Sequence, residues 1–314
     1  MWRRLVRGQH SSARHTYLVH DDEIPIDSKL VRRLLQDQFP QWATLHLERV
    51  FSNGTDNELF RLGSEMVVRL PRIHWAANDA EKEQKWLPIL APYLPVRIPT
   101  LLASGEPAVD YPWRWSVYRW LEGEHPHINK VANANQLAHE IGAFIAALHR
   151  IKVPSDGPSA GRGIALADCD GFTRAAIAAL DGIFDVEALT RTWERVLDVA
   201  PWSRGPVWVH GDLSPGNLLL LHGHLDAVID FGTLTTGDPA SDFIVAWNLL
   251  PSRARLTLRE AAHADDETWS RGRGWALSIA LIQLPYYATR NPPLAVNARH
   301  VISEVLADVS AQNK

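Results

Sequence analysis

Residues 207–232 constrain this chain more than any other stretch. The run Val209-His210-Gly211-Asp212-Leu213-Ser214-Pro215-Gly216-Asn217-Leu218-Leu219 sets two glycines and a proline among polar residues, between apolar β-type runs at 207–209 and 218–229. Glycine and proline at that density exclude a helix and force a tight turn. The second apolar run ends in Ala227-Val228-Ile229-Asp230-Phe231-Gly232, with Asp230 thirteen residues beyond Asn217. A fold that accommodates this stretch must bring Asp212, Asn217 and Asp230 to the ends of short strands. One His-Gly-Asp or Asp-Phe-Gly triplet is a common accident; two such elements in this order, with a strand between them, are not.

Upstream, the hydrophobic period changes repeatedly. Leu30, Val31, Leu34, Leu35 and Phe39 recur at helical spacing over 28–39, and Pro40 stops that helix. Leu45, Leu47, Val50 and Phe51 alternate loosely, 52–57 is turn chemistry, and 58–62 and 66–70 are β-rich runs parted by Gly63-Ser64. This spacing predicts an antiparallel meander. A helix over 78–90 follows, with Trp86, Leu87 and Leu90 on its apolar side, then strands at 100–103 and 115–120. The chain turns to loop at Leu121-Glu122-Gly123-Glu124, and a long helix is predicted over 133–150 from Leu137, Ile141, Phe144, Ile145 and Leu148. Apart from the runs flanking the motif, the remainder reads helical. The expected fold class is α+β: an N-terminal arm at 1–25, a small β-rich lobe at 26–121, and a larger, mainly helical lobe at 122–314.

Composition narrows the function. With 314 residues, 46% hydrophobic and 22% charged, the chain has the profile of a soluble globular protein with room for two cores. No apolar run approaches the roughly 20 residues that span a bilayer, so no membrane partner is expected. The basic start, Met1 to Arg7, leads into polar residues and does not read as a secretory signal. A net charge of −4 gives no basic footprint for nucleic acid. The single cysteine, Cys169, excludes an intrachain disulfide and points to a reducing, cytoplasmic setting. Oligomeric state is left open.

Phosphoryl transfer needs a carboxylate to orient the acceptor hydroxyl and oxygen ligands to hold a metal ion on the phosphates. An Asp and an Asn five residues apart on one tight loop can serve both needs, with Asp212 facing an acceptor and Asn217 a metal. Asp230 ends an apolar strand, and Phe231-Gly232 lets the backbone turn towards the phosphates. Mg2+ suits this set because it is a hard cation that prefers carboxylate and amide oxygens.

On the H-G-D-x-x-x-x-N loop at 210–217 and the I-D-F element at 229–231, the sequence resembles the aminoglycoside phosphotransferase family, which is distantly similar to protein kinases. The resemblance covers roughly 28–310. It implies a two-lobed protein-kinase-like fold, ATP or GTP as phosphate donor with Mg2+, and a small hydroxylated acceptor. By this resemblance Asp212 is the catalytic base, Asn217 and Asp230 are the metal ligands, and His210 braces the loop. Gly54 and Thr55 belong to the loop over the nucleotide phosphates, although it lacks a G-x-G-x-x-G pattern. Arg69 stands where kinases usually place a lysine, with Glu83 as its ion-pair partner. Backbone groups near Arg119 and Leu121 form the purine-binding hinge. Asp238, ahead of Pro239, reads as a helix cap, and both it and Asp242 as braces of the catalytic loop.

The acceptor is not specified. A cationic aminosugar needs carboxylates converging on one cleft, and the candidates are Asp181, Asp185, Glu187, Glu260, Asp265, Asp266 and Glu267. A macrolide needs an apolar pocket, to which Trp247, Trp275, Tyr286 and Tyr287 could contribute, although Trp247 and Trp275 lie in core-type patterns. Three readings stand: an antibiotic kinase, a kinase of a sugar, choline-like or homoserine-like metabolite, and a nucleotide-binding pseudokinase. A protein kinase is disfavoured, because five residues separate Gly232 from Asp238, too few for a long peptide-docking segment.

Overall fold

The computed structural model describes residues 22–51, 54–127, 131–159 and 161–312. Five antiparallel strands build the first lobe: β1 (Leu47–Arg49), β2 (Asn57–Leu62), β3 (Met66–Pro71), β4 (Leu101–Gly105) and β5 (Trp115–Arg119), in the order β1-β2-β3-β5-β4. Their side chains alternate between two faces, as a pleated strand requires. Phe60, Leu62, Val68, Leu70, Trp115 and Val117 are buried on the outer face against Leu30, Val31, Leu34 and Leu35 of α1 (Ser28–Gln38). The opposite parity (Leu59, Val67, Arg69, Ser116, Tyr118) turns towards the second lobe. The register sets Leu59 and Ser116 on either side of Arg69.

Local chemistry fixes the ends of these elements. Asp27 caps α1 by accepting the Leu30 N–H at 2.8 Å. Of the expected arm at 1–25, residues 1–21 lie outside the described residues, while the Ile24 N–H donates to the Arg72 carbonyl at 2.9 Å and so joins this end to the sheet. α2 (His74–Leu90) starts earlier than the expected residue 78; its N-cap, Ile73, makes no side-chain cap hydrogen bond, so the sequence carries no start signal there.

The second lobe contains α3 (Ala134–Arg150), α4 (Asp170–Ala178), α5 (Val186–Leu197), α6 (Val245–Asn248), α7 (Ser252–Ala261), α8 (Asp266–Tyr287) and α9 (Pro292–Gln312). Two small β pairs interrupt the helices: β6 (Val207–Val209) with β9 (Thr235–Gly237), and β7 (Leu218–Leu221) with β8 (His224–Val228). The run expected as one strand over 218–229 is therefore a hairpin. Its turn residues, His222 and Gly223, both take positive φ, 53° and 84°, the geometry a two-residue hairpin turn demands. Trp247 and Trp275 are fully buried, as their sequence pattern implies. No helix among the described residues is long and apolar enough to cross a membrane.

Candidate active site

The loop at 210–217 lies between β6 and β7, and a buried carboxylate holds it. Asp242 accepts the Gly211 N–H at 2.7 Å and the His210 N–H at 3.2 Å, and it contacts His149 Nε2 at 2.9 Å. His210 is fully buried, and burial pushes its pKa down, which favours the neutral ring. One ring nitrogen accepts the Asp212 N–H and the other lies 3.2 Å from the Ile229 carbonyl, the one-acceptor, one-donor pattern of neutral imidazole. His210 therefore braces the loop. Gly211 has φ +80°, and a Cβ there would stand 2.7 Å from the Arg162 Cβ, so glycine is required on both counts.

Asp212 and Asn217 face each other within this loop. Asn217 Nδ2 donates to the Asp212 carbonyl at 2.8 Å and to Asp212 Oδ2 at 3.0 Å. With its nitrogen so engaged, Asn217 presents Oδ1 as the atom available to a cation. Burial pushes the Asp212 carboxyl up to about 7, opposed by the nearby Arg162 charge and reinforced by Asp230 and Asp56.

Asp230 follows β8 in left-handed backbone, φ 62°, unusual for a residue with a side chain. Phe231 anchors the turn by packing edge-on against His210, ring centroids 4.6 Å apart. Asp230 Oδ1 accepts from Arg69 at 2.8 Å, and the side chain keeps 44% exposure. Arg69 also meets Glu83 at 2.5 Å, and Glu83 is fully buried and accepts the Tyr118 hydroxyl at 2.7 Å. The ion pair expected between Arg69 and Glu83 is present, and it continues to Asp230.

Two neighbours of this chain of charges were not anticipated. Lys82 Nζ donates to the Gly232 carbonyl and pairs with Asp79 at 3.2 Å, so α2 is tied directly to the Asp230 turn. Burial pushes Asp79 up to about 6. The available clue was spacing: Asp79 and Glu83 are one helical turn apart and share a face.

The nucleotide side is less complete. Gly54 is exposed, Thr55 donates to Asp56 at 2.7 Å, and Ser52 and Asn53 lie outside the described residues. The Arg119 N–H donates to Thr100 at 2.9 Å and the Trp120 N–H to Glu65 at 2.8 Å. These two donors belong to the sheet, and the hinge opens only at Leu121.

The seven carboxylates considered for an aminosugar do not converge. Asp185 and Asp265 cap α5 and α8 through the Ala188 and Thr268 N–H groups. Asp265 and Asp266 pair with Arg204 and Arg259, and Asp181, Glu187, Glu260 and Glu267 are exposed. At 1.5 Å rise per residue, α8 carries Asp266 about 30 Å away from Tyr287 at its other end. Asp238, by contrast, behaves as expected: it caps the turn that follows by accepting the Ala240 N–H at 3.0 Å, and it pairs with Arg271 at 2.8 Å.

The donors that Asn217 and Asp230 offer, an amide oxygen and a carboxylate, fit Mg2+, which takes few protein ligands and completes its shell with water and phosphate. Among the described residues no group of three or more His, Cys, Asp or Glu forms a metal cage.

A β lobe over a helical lobe, with an Asp–Asn loop facing an Asp at a strand end, defines the class of kinase-like phosphotransferases. Residues 48–275 match the model described as "Phosphotransferase enzyme family", and the chain belongs to that family. Over 114 residues it is 31% identical to an aminoglycoside 3'-phosphotransferase of Escherichia coli, a match that spans 35% of this chain but only 42% of that relative. The GDP and kanamycin complex of an APH(2") enzyme superposes on 89% of this chain and 99% of its own, with TM-score 0.73 at 19% identity. A macrolide 2'-phosphotransferase from Brachybacterium faecium covers 88% and 98%, with TM-score 0.60 at 22% identity. At such identities the likeness to the solved structures is one of fold.

Proposed function

We propose that this protein transfers the γ-phosphate of a nucleoside triphosphate, ATP or GTP, to a hydroxyl of a small molecule. One observation carries the reading: Asp212, Asn217, Asp230, Arg69 and Glu83 are gathered where the two lobes meet, with Asp212 hydrogen-bonded to Asn217, and Arg69 to both Asp230 and Glu83. Asp212 is the base that orients the acceptor hydroxyl and takes its proton. A carboxyl raised towards neutrality is better matched to that task than one near 4. Arg69, fixed by Glu83, reaches the α- and β-phosphates. Gly54 and Thr55 cover the phosphates, and the backbone from Arg119 to Leu121 borders the purine. Asn217 Oδ1 and the Asp230 carboxylate would hold Mg2+, which when bound neutralises charge on the phosphates. After Gly232 the chain passes at once into β9 and Asp238, which supports a small acceptor over a peptide. A single buried cysteine and the absence of a membrane-crossing helix among the described residues fit a cytoplasmic enzyme.

The test is nucleotide consumption with ATP and GTP, Mg2+ present, over aminoglycosides, macrolides and hydroxylated metabolites. Asp212→Ala is expected to lower acceptor-dependent turnover at least ~1,000-fold, since base and positioning are lost together, and to leave Mg-nucleotide affinity within about threefold. Asp230→Ala is expected to weaken Mg-nucleotide binding at least ~10-fold. Full activity in Asp212→Ala would remove the catalytic assignment.

A further inference from the structure

The turn that carries Asp230 is held in a conformation it would not choose. Asp230 sits at φ 62° and ψ 73°, where a residue with a side chain is strained, and such a backbone persists only when its surroundings fix it. Within the turn, Asp230 Oδ1 accepts the Gly232 N–H at 3.4 Å, a long bond, and the Leu234 N–H reaches the Phe231 carbonyl at 2.9 Å. Further support comes from α2. Glu83 holds Arg69, which donates to Asp230 Oδ1 at 2.8 Å, and Lys82, the residue before Glu83, donates to the Gly232 carbonyl. Consecutive residues of one helix thus grip the turn at its carboxylate and, two residues on, at its backbone.

Lys82 is itself fixed. Asp79, three residues earlier on the same face, accepts from its ammonium at 3.2 Å, and each side chain is only 23% exposed, so the pair is largely withdrawn from water. The helix also lies against the turn without slack. A Cβ at Gly232 would stand 3.1 Å from Asp79 Oδ2 and 3.3 Å from Asp230 Oδ1, closer than ordinary contact. An ammonium offers donors and no lone pair, so Lys82 is no metal ligand, and its charge alone would repel a metal ion. What it can add at Asp230 is placement of the backbone that aims the carboxylate.

We propose that Lys82, held by Asp79, is a positioning residue for Asp230: through the Gly232 carbonyl it fixes the left-handed turn, and so strengthens the binding of Mg2+ by Asp230 while touching neither metal nor nucleotide. This rests on the kinase reading above and deepens it. Outer hydrogen bonds that orient a metal ligand are commonly worth roughly 10–100-fold in metal affinity. Here that orientation is supplied by a helix packed between the lobes, so the metal ligand depends on how α2 sits.

The experiment measures ADP binding by isothermal calorimetry at 25 °C, once in EDTA and once in saturating Mg2+. The ratio of the two affinities is the gain that the metal gives. Asp79→Leu with Lys82→Met removes one charge of each sign, so the field at Asp230 changes little and the bond to Gly232 is lost. This paired variant is expected to lower the gain at least ~10-fold and to leave ADP affinity in EDTA within about threefold. In an Asp230→Asn background the same pair is expected to change the gain less than about twofold, because a residue that acts through Asp230 then has nothing to act on. Circular dichroism records folding, and a loss of stability alone does not alter the affinity of protein that is still folded. A gain within about threefold of wild type, an equal loss of ADP affinity in EDTA and in Mg2+, or an undiminished loss in the Asp230→Asn background would each overturn the proposal. The second of these would make Lys82 a contact of the nucleotide itself. If the paired variant does not fold, Lys82→Met decides alone. Deleting a cation tightens a metal ion by charge, so a gain at least ~3-fold lower supports placement, and an equal or higher gain overturns it. Wild-type protein that binds no ADP in either buffer would strike the kinase reading, and the role of Lys82 with it.

Discussion

A carboxyl held near neutrality inside a fold opposes folding when it ionises, and Asp212 shows how large that effect can be. Its ordinary value is 3.8 and burial takes it to about 7. Between those values the folded protein binds the proton that the unfolded chain has released, so stability falls as pH rises through the window. The full penalty applies above pH 7 and vanishes below about 4. Three units correspond to roughly 4 kcal/mol, which partial hydration in the cleft reduces to about 2. Asp212→Asn keeps the shape and removes the charge. In metal-free, nucleotide-free protein it is expected to add about 2 kcal/mol at pH 8 and almost nothing at pH 4, by urea unfolding at each pH. An unchanged midpoint at pH 8 contradicts the electrostatic account. Ordinary selection for activity tolerates such a penalty at a catalytic group.

Between elements, the support of the loop at 210–217 depends on how closely two backbones approach. β9 and the residue after it are joined to residues 158–163: the Thr236 N–H and the Thr235 and Thr236 hydroxyls donate to the Pro158 carbonyl, and the Asp238 N–H donates to Gly163 at 2.9 Å. Gly237 has φ +157°, and a Cβ there would lie 2.0 Å from the Gly163 carbonyl oxygen. Gly237→Ala must push away the segment that carries Arg162, and is expected to lose about 3 kcal/mol or more. Gly171→Ala, where a Cβ meets nothing within 4 Å in α4, is expected to be neutral or to gain up to about 1 kcal/mol. Urea midpoints for the pair decide it; equal effects would show that the close approach is not limiting. This part of the site was illegible in sequence. Asp212, Asn217 and Asp230 were readable because a tight turn and a strand end bring near neighbours together. The parity of β2, β3 and β5 was readable because it repeats every two residues. Arg162 lies in irregular chain and Lys82 in a helix whose start has no cap, so neither is near the motif in any periodic sense.

Across the whole molecule, the two lobes are less separate than the sequence division at Gly123 implies. The outer apolar cluster, α1 against the sheet, is confined to the first lobe. The larger cluster is not: Trp86, Leu87 and Leu90 of α2 and Tyr118 of β5 belong to the same buried body as Trp208, Trp247 and Trp275. Trp86 packs edge-on against Trp208 at 5.1 Å, while Lys82 from the same helix holds the Gly232 carbonyl. α2 is thus bound to both bodies, to the helical lobe through Trp86 and Lys82 and to the sheet through Glu83, which meets Arg69 and Tyr118. Because β3 and β5 present one face to each cluster, losing the interlobe core exposes the sheet as well. Urea unfolding of the wild-type protein is therefore expected to be one cooperative transition, with tryptophan emission and far-ultraviolet circular dichroism coincident. Trp86→Ala removes a large buried ring at the joint and is expected to lose about 3–5 kcal/mol. The variant is expected to lose that coincidence, because the sheet then keeps α1 as its main partner and melts apart from the helical lobe. A wild-type protein that already unfolds in two steps would show that the outer cluster suffices for an independent lobe. A variant that stays cooperative would show that the Lys82 tie and the hinge carry the coupling without Trp86.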